Sequence, residues 1–352
     1  MKIELNTPSM TGNIYIGEDA ITQRLPYLLR GQSNFVLTDS NVYSLHRVFF
    51  EKWLQDEPIF VLPAGEEQKN FQSLQAILEK MVGAGLKRTS MLFAVGGGVV
   101  GDIGGLCASL YMRGISCVQI PTTLLSMVDS SVGGKTAIDA CGVKNVIGAF
   151  YQPMEVLIDP MFLGTLPQRE WKCGIGEMVK YAALDKATYD ALQQNGGEMT
   201  KELAVSLIEN SVRYKAGVCS RDEKESGERK CLNVGHTTGH VVELTYGLSH
   251  GESVLWGMKL ETMLAIDCGV CERVYGENLL KFIDRALALS PRAEIDLSRL
   301  GEAAAAKAGL DKKNKDDGKV VMSVAKAYGE WALLSLPMQE YVNALQNAVN
   351  QL

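Results

Sequence analysis

The sequence predicts an α/β N-terminal domain followed by a mainly α-helical C-terminal domain. Through the first 160 residues, short β-branched runs alternate with amphipathic stretches, a βαβ pattern. Beyond Pro167 the apolar spacing becomes helical and the β-branched runs thin out. The length of 352 residues suits two domains at about 100–200 residues each.

In chain order, the runs 34–38, 59–62, 91–95 and 117–120 read as buried parallel strands, with helices near 42–54 and 70–84 between them. A last strand-like run, Val156-Leu157-Ile158, leads into Asp-Pro and Leu-Pro steps over 159–167, which mark the boundary. The expected domains are therefore 1–163 and 164–352. Helical periodicity then covers 168–194, 198–219, 228–245, 252–268, 275–289 and 338–350.

With 46% hydrophobic and 22% charged residues, 35 Gly and only 10 Pro, the chain is neither disordered nor collagen-like. A net charge of −6 gives no overall cationic field, so neither nucleic acid nor a membrane is expected as a partner. An anionic ligand must be held by a local cluster. The N-terminal residues lack a signal-peptide core and no stretch approaches the ~20 apolar residues that span a bilayer, so a cytoplasmic location is expected. The eight cysteines are scattered, mostly within apolar runs, and read as buried free thiols. Cys268-Gly269-Val270-Cys271 lacks the second pair that would make a metal or redox motif.

Strand 91–95 runs into Gly96-Gly97-Gly98-Val99-Val100-Gly101-Asp102. Glycines between a strand and a helix let a phosphate approach backbone N–H groups, although this strand is not the first of the sheet, and a tight structural turn explains the run nearly as well. Asp39, closing strand 34–38, is either a ribose-binding carboxylate or a helix cap. The segment 122–136 ends in Gly133-Gly134-Lys135-Thr136. It lacks the first glycine of a P-loop, Asp129 standing in its place, so a nucleoside triphosphatase is not expected. Arg113, Lys135, Lys144 and Asn145 suit an anionic, polyhydroxylated ligand.

The sharpest signal is histidine. The chain has four, and His236, His240 and His250 fall within fifteen residues. His236 and His240, at i and i+4, share a helix face, a common divalent-metal arrangement. Glu177 and Lys180 stand one turn apart on an otherwise apolar stretch, either as a surface pair or as a buried carboxylate with its cation. The charge run 221–230 reads by itself as a solvated loop.

Together these motifs, with Tyr111-Met112-Arg113-Gly114, Gln119-Ile120-Pro121-Thr122-Thr123-Leu124-Leu125, 128–136, Lys144-Asn145-Val146-Ile147-Gly148-Ala149-Phe150-Tyr151-Gln152-Pro153 and Asn233-Val234-Gly235-His236-Thr237, resemble the 3-dehydroquinate synthases from about Asp39 to Asp311-Lys312-Lys313. The resemblance implies a Rossmann-like NAD-binding domain joined to a helical metal- and substrate-binding domain, with the active site in the cleft between them; a homodimer is the default expectation for a soluble enzyme. The implied reaction is the second step of the shikimate pathway, on the route to chorismate and the aromatic amino acids. There 3-deoxy-D-arabino-heptulosonate 7-phosphate loses phosphate and closes to 3-dehydroquinate. Oxidation at C5 by NAD acidifies the C6 proton, phosphate leaves by β-elimination and itself can serve as base, the ketone is reduced again, and an intramolecular aldol step closes the ring.

By the same resemblance, Glu177, His236 and His250 hold a divalent metal, zinc or alternatively cobalt, which displaces His240 from the metal set suggested by spacing. His240 becomes a proton-relay and substrate-binding residue, Glu225 an acid–base carboxylate and Arg229 a substrate-binding arginine. Substrate contacts are implied for Arg113, Asp129, Lys135, Asn145, Lys180, Lys215, Arg229, Asn233, His240, His250 and Lys312, with Lys180 and Arg229 also counted in the catalytic set. NAD contacts are implied for Asp39, Asn41, Glu66, Lys69, Gly97, Gly98, Val99, Asp102, Thr122, Thr123, Lys144, Phe162 and Thr165. The chain departs from the family's pattern at Ala137, at Asp139-Ala140-Cys141-Gly142 and at Thr238, which replaces a bulky apolar residue. The alternatives are a related sugar phosphate cyclase, a metal-dependent polyol dehydrogenase, and a metal- and NAD-binding protein without turnover.

Overall fold

The computed structural model describes residues 1–31, 33–289, 295–308 and 318–352. They form two compact units, one of Met1–Trp171 with Lys215–Lys224, the other of Lys172–Tyr214 with Glu225–Leu352.

In the first unit the order is β1 (Lys2–Asn6), β2 (Thr11–Ile16), α1 (Ala20–Leu28), β3 (Asn34–Asp39), α2 (Ser40–Leu45), α3 (Arg47–Trp53), β4 (Ile59–Leu62) and α4 (Phe71–Gly83). There follow β5 (Met91–Gly96), α5 (Gly98–Leu110), β6 (Ser116–Pro121), β7 (Lys135–Ala140), β8 (Val143–Phe150) and β9 (Glu155–Ile158). Seven strands make one sheet in the order β1-β2-β9-β6-β5-β3-β4, parallel throughout except for the β1–β2 pair. Central strands with both faces covered are buried along their whole length, as β5 and β9 are; β5 is continuously apolar, and β9 is so after Glu155, which pairs with Arg24. The core on one face gathers Phe35, Leu37, Leu92, Ala94, Ile103 and Leu106 from β3, β5 and α5.

The strand order places a topological switch point between β3 and β5: β4 lies on one side of β3, and β5 on the other. Thr38 pairs with Val95, so Asp39 and the glycine run end side by side at the carboxyl edge of the sheet. The expected helix 42–54 is two helices, broken at His46, whose backbone leaves the helical region. The β7–β8 hairpin was not foreseen, because almost every β8 residue is exposed and no alternation marks it.

The second unit holds most of α6 (Gln168–Leu184), then α7 (Lys186–Gln194), most of α8 (Lys201–Arg221), α9 (His236–Tyr246), α10 (His250–Asp267), α11 (Arg273–Ala288), α12 (Leu300–Ala308) and α13 (Met338–Asn350). An antiparallel hairpin, β10 (Lys319–Ala327) and β11 (Glu330–Pro337), interrupts the helical series and was not expected. α10 is its centre, packed against α9, α11, α13 and β10, and is apolar nearly all round, as a buried helix must be. It starts at His250 because the Glu252 carboxylate accepts from the Ser249 backbone N–H, half of a capping box.

Two expectations are corrected. Cys141 and Cys268 are exposed, unlike the other six thiols. The run 221–230 is not a solvated loop, since Asp222, Glu223 and Arg229 are buried. Among the described residues, no helix is long and apolar enough to cross a membrane. Leu92→Ala, which empties a fully buried place in β5, is expected to destabilise the sheet unit by about 3 kcal/mol, measured as a lower urea midpoint.

Candidate active site and metal centre

Three helices of the second unit meet with almost nothing between their backbones. A Cβ placed on Gly176 of α6 would lie 2.3 Å from the Gly251 carbonyl oxygen, and one on Gly251 would lie 2.1 Å from that of Cys173. On the other side of α10, a Cβ on Gly257 would meet the Gly235 carbonyl oxygen at 1.9 Å, and one on Gly239 the Ser253 carbonyl at 2.9 Å. Any side chain at these positions would force the helices apart. Each chemistry-bearing residue is the sequence neighbour of such a glycine: Glu177 of Gly176, His236 of Gly235, His240 of Gly239, His250 of Gly251.

Glu177 is fully buried, and its Oε1 lies 3.1 Å from His250 Nε2 and 3.4 Å from His236 Nε2. Its other oxygen is 2.5 Å from Lys180 Nζ, itself 1% exposed, so this i, i+3 pair is a buried ion pair. Burial works against ionisation of Glu177, but Lys180 and His236 hold its carboxyl well below the usual carboxylate range. Burial also works against charge on His250, yet hydrogen bonds to Glu177 and Glu243 push its imidazole up to about 10. The outer nitrogens are occupied: His236 Nδ1 lies 3.1 Å from the Val234 carbonyl, and His250 Nδ1 lies 3.3 Å from Glu243 Oε2. Such partners turn both Nε2 atoms inward.

One carboxylate and two imidazoles, with donor atoms all within 4.8 Å of one another, match the donor set of a divalent metal that keeps a position open for substrate. His240 stands outside this group, its ring centre 5.6 Å from that of His236 and 6.4 Å from that of His250. Sharing a helix face brings the two α9 rings together, but the third donor comes from α10. Glu243 was missed in the sequence, although its place one turn beyond His240 on the same helix is a signal that could have found it.

Beside these, the Asn233 amide donates to Glu225 Oε1. Glu225 holds a left-handed backbone, φ 59°, which is uncommon for a non-glycine residue. Arg229 is 1% exposed, on the 3-10 helix Glu228–Asn233.

In the first unit the glycine run ends β5 and opens α5, with Gly97 at the cap and Gly98 and Val99 in the first turn. A Cβ on Gly97 would meet the Thr123 methyl at 3.1 Å, and one on Gly98 would touch the Ser130 hydroxyl at 3.4 Å. Thr122 Oγ1 is buried without a hydrogen-bond partner, and Thr123 is locked to Ser126 by reciprocal bonds. Asp39 is indeed the cap of α2, its Oδ1 accepting from the Asn41 and Val42 N–H groups. A glycine-cradled helix N-terminus, an orphaned threonine hydroxyl and a carboxylate at the switch point fit a dinucleotide.

Lys69 joins several expected residues: buried, it donates to Asp102 Oδ2 at 2.8 Å and Asn145 Oδ1 at 2.5 Å, with Glu66 at 3.7 Å. Burial opposes its charge, but Asp102 and Glu66 hold its pKa above the ordinary lysine value. Asn145 is also tied to the Asp139 carboxylate through its backbone N–H and is left-handed, φ 51°, as is Arg113, φ 65°. Asp129 sits in a π-helical turn, Ser126–Ser130, where Lys215 Nζ binds its carbonyl at 2.7 Å and its carboxylate at 3.0 Å. Lys135 and Lys144 lie exposed on the β7–β8 hairpin. Phe162 is buried edge-on against His46 and Phe49, and Thr165 Oγ1 bonds His46 Nε2 at 2.8 Å. Lys312 lies outside the described residues.

Gly251→Ala should gain about 1 kcal/mol in helix propensity, but the contact with Cys173 makes it destabilising. We expect a lower melting temperature and weaker Zn2+ binding by calorimetry, whereas unchanged Zn2+ affinity would contradict the packing argument.

The family model described as 3-dehydroquinate synthase N-terminal matches residues 59–173, and that described as 3-dehydroquinate synthase C-terminal matches 174–314. A 3-dehydroquinate synthase from Caldanaerobacter subterraneus is 43% identical over 283 residues, 77% of this chain and 80% of that protein. One from a Thermoanaerobacter species is 38% identical over 332 residues, covering 90% and 91%. Among solved structures, a 2-epi-5-epi-valiolone synthase from Streptomyces hygroscopicus, with NAD+ and Zn2+ bound, superposes with a TM-score of 0.82 at 26% identity over 97% of both chains. With two adjoining family domains matched in order and relatives this similar along most of its length, the chain belongs to the 3-dehydroquinate synthase family.

Proposed function

We propose that this protein converts 3-deoxy-D-arabino-heptulosonate 7-phosphate to 3-dehydroquinate and phosphate, using a divalent metal and NAD, which is reduced and reoxidised within each turnover. The observation that carries the reading is the convergence of Glu177, His236 and His250 with His240 beside them, in a chain whose relatives bear that name. When bound, NAD supplies a hydride acceptor that returns its hydride, and the metal held by Glu177, His236 and His250 polarises the hydroxyl being oxidised.

The chain's own residues do the rest. His240 holds a proton at its imidazole and exchanges it with the substrate hydroxyl, as a general acid–base group must. Glu225, oriented by Asn233, is the second proton-transfer group. Lys180 keeps Glu177 ionised and presents a buried cation to the substrate. Arg229, Arg113, Lys135, Asn145 and Lys215 grip the phosphate and carboxylate ends, the guanidinium groups as two-pronged donors and the lysines as point charges. Asp129 accepts from substrate hydroxyls. In the sheet unit, the N-terminal amides of α5 would take the dinucleotide pyrophosphate and Asp39 the ribose, with Glu66, Lys69 and Asp102 as further cofactor contacts.

The deciding experiment is phosphate release from 3-deoxy-D-arabino-heptulosonate 7-phosphate by the zinc-loaded protein, with and without NAD, while NADH absorbance is followed. NAD-dependent phosphate release without NADH accumulation, giving 3-dehydroquinate, is expected. Stoichiometric NADH would indicate a polyol dehydrogenase, and turnover of another seven-carbon sugar phosphate a related cyclase. His250→Ala should lose bound zinc and at least ~100-fold in phosphate release while NAD affinity stays within about twofold; retained stoichiometric zinc would refute the ligand assignment.

A further inference from the structure

Glu261 is a carboxylate in the apolar middle of α10, 1% exposed, and nothing in the reaction calls for it. Its Oε2 accepts from the Gly235 backbone N–H at 2.8 Å and its Oε1 from that of Thr238 at 2.7 Å. These amides belong to the first turn of α9, where backbone N–H groups have no acceptor within the helix. They bracket His236 in sequence, and His240 follows one half-turn later. The neighbouring contact is equally specific: the Thr238 hydroxyl lies 2.9 Å from Tyr341 Oη, both residues being buried.

A helix N-terminus is ordinarily capped by a serine, threonine or aspartate next to it in sequence, at little cost. Here the cap is a buried glutamate from another helix, a choice that carries a desolvation penalty: burial pushes the Glu261 carboxyl up to about 7 although both amide bonds favour its charged form. What the remote cap achieves is a fixed relation between two helices. Glu261 follows His250 by eleven residues, three turns, and so lies on the same face of α10. One face of one helix thus carries a metal donor at its start and the clamp on the other histidines' helix farther along. Gly257 and Gly239 let the two backbones touch, and Glu261 sets their register.

We infer that Glu261 is a positioning residue, whose carboxylate holds the first turn of α9 against α10 and thereby sets where His236 and His240 stand relative to His250. This rests on the metal-centre reading above. The test compares wild type, Glu261→Gln and Glu261→Asp with Tyr275→Phe, which removes a different buried hydrogen bond of the same unit, that from Tyr275 Oη to the Ala183 carbonyl at 2.9 Å. Two quantities are read: amide hydrogen exchange in the metal-free protein, and the Co2+ dissociation constant.

Glu261→Gln is expected to speed exchange at Gly235 and Thr238 at least ~10-fold and to weaken Co2+ binding ~10–100-fold, the usual effect of losing a group that orients metal ligands. Glu261→Asp, which keeps the charge on a shorter arm, should fall between it and wild type. Tyr275→Phe should lower the melting temperature with Co2+ affinity unchanged. Wild-type Co2+ affinity and unaltered exchange at the two amides in Glu261→Gln would overturn the inference alone, as would equal weakening in Glu261→Gln and Tyr275→Phe. Failure of the wild type to bind Co2+ would overturn the metal-centre reading and the inference with it.

Discussion

The helical unit depends on backbone contact between α6, α9 and α10, because no ordinary helix packing would bring the side chains on them to one point. Helices separated by side chains usually lie about 8–10 Å apart axis to axis. At Gly176 and Gly251 on one flank of α10, and at Gly235, Gly239 and Gly257 on the other, a single added carbon would lie well inside contact distance of a backbone atom. The consequence is local: a short, stiff route from each backbone to a shared centre, with Glu177, His236 and His250 converging within 4.8 Å. Glycine inside a helix is unfavourable by about 1 kcal/mol relative to alanine, so such a concentration of it needs a reason, and the close approach supplies one.

The same economy governs the charges. Glu177 is wholly buried and is ionised because Lys180 and the histidines surround it. Lys69 is buried and charged because Asp102 and Glu66 are beside it. Buried ion pairs add little net stability and sometimes cost it. The proposed function gives each of these charges a use at a defined place, Glu177 with Lys180 in one unit and Lys69 with Asp102 in the other. Strained backbone follows the same pattern. Arg113, Asn145 and Glu225, each assigned a substrate or proton-transfer role, are among the few non-glycine residues with left-handed backbones.

Much of this was legible in the sequence. Buried parallel strands write themselves as unbroken apolar runs, so β3, β5 and β6 fell where expected; β4 also fell in place, but as the edge strand it buries only Leu62, and the helical periodicity of α6, α10, α11 and α13 was equally plain. Elements with no apolar period escaped. β8 is almost entirely exposed, and β10 and β11 sit in a stretch dominated by helices. The histidine cluster announced a metal or acid–base site, but spacing alone paired His236 with His240. Only the family motifs, and then the packing of α10 on α6 and α9, set His250 with Glu177. Period tells which residues share a face of one helix, and nothing about which helix faces it. For that reason Glu261, whose meaning lies in its contact with another helix, could not be told from other carboxylates on a helix, whereas Glu243 was marked by its place one turn beyond His240.

The central claim is that three glycine-spaced helices converge to hold one divalent ion. The most direct measurement is a crystal structure of the Co2+-loaded protein with anomalous data collected at the cobalt edge. One strong anomalous peak bonded to Glu177 Oε1, His236 Nε2 and His250 Nε2, with His240 unbound, is expected. A peak coordinated by His240 in place of His250, or no peak among these residues at full cobalt loading, would contradict it.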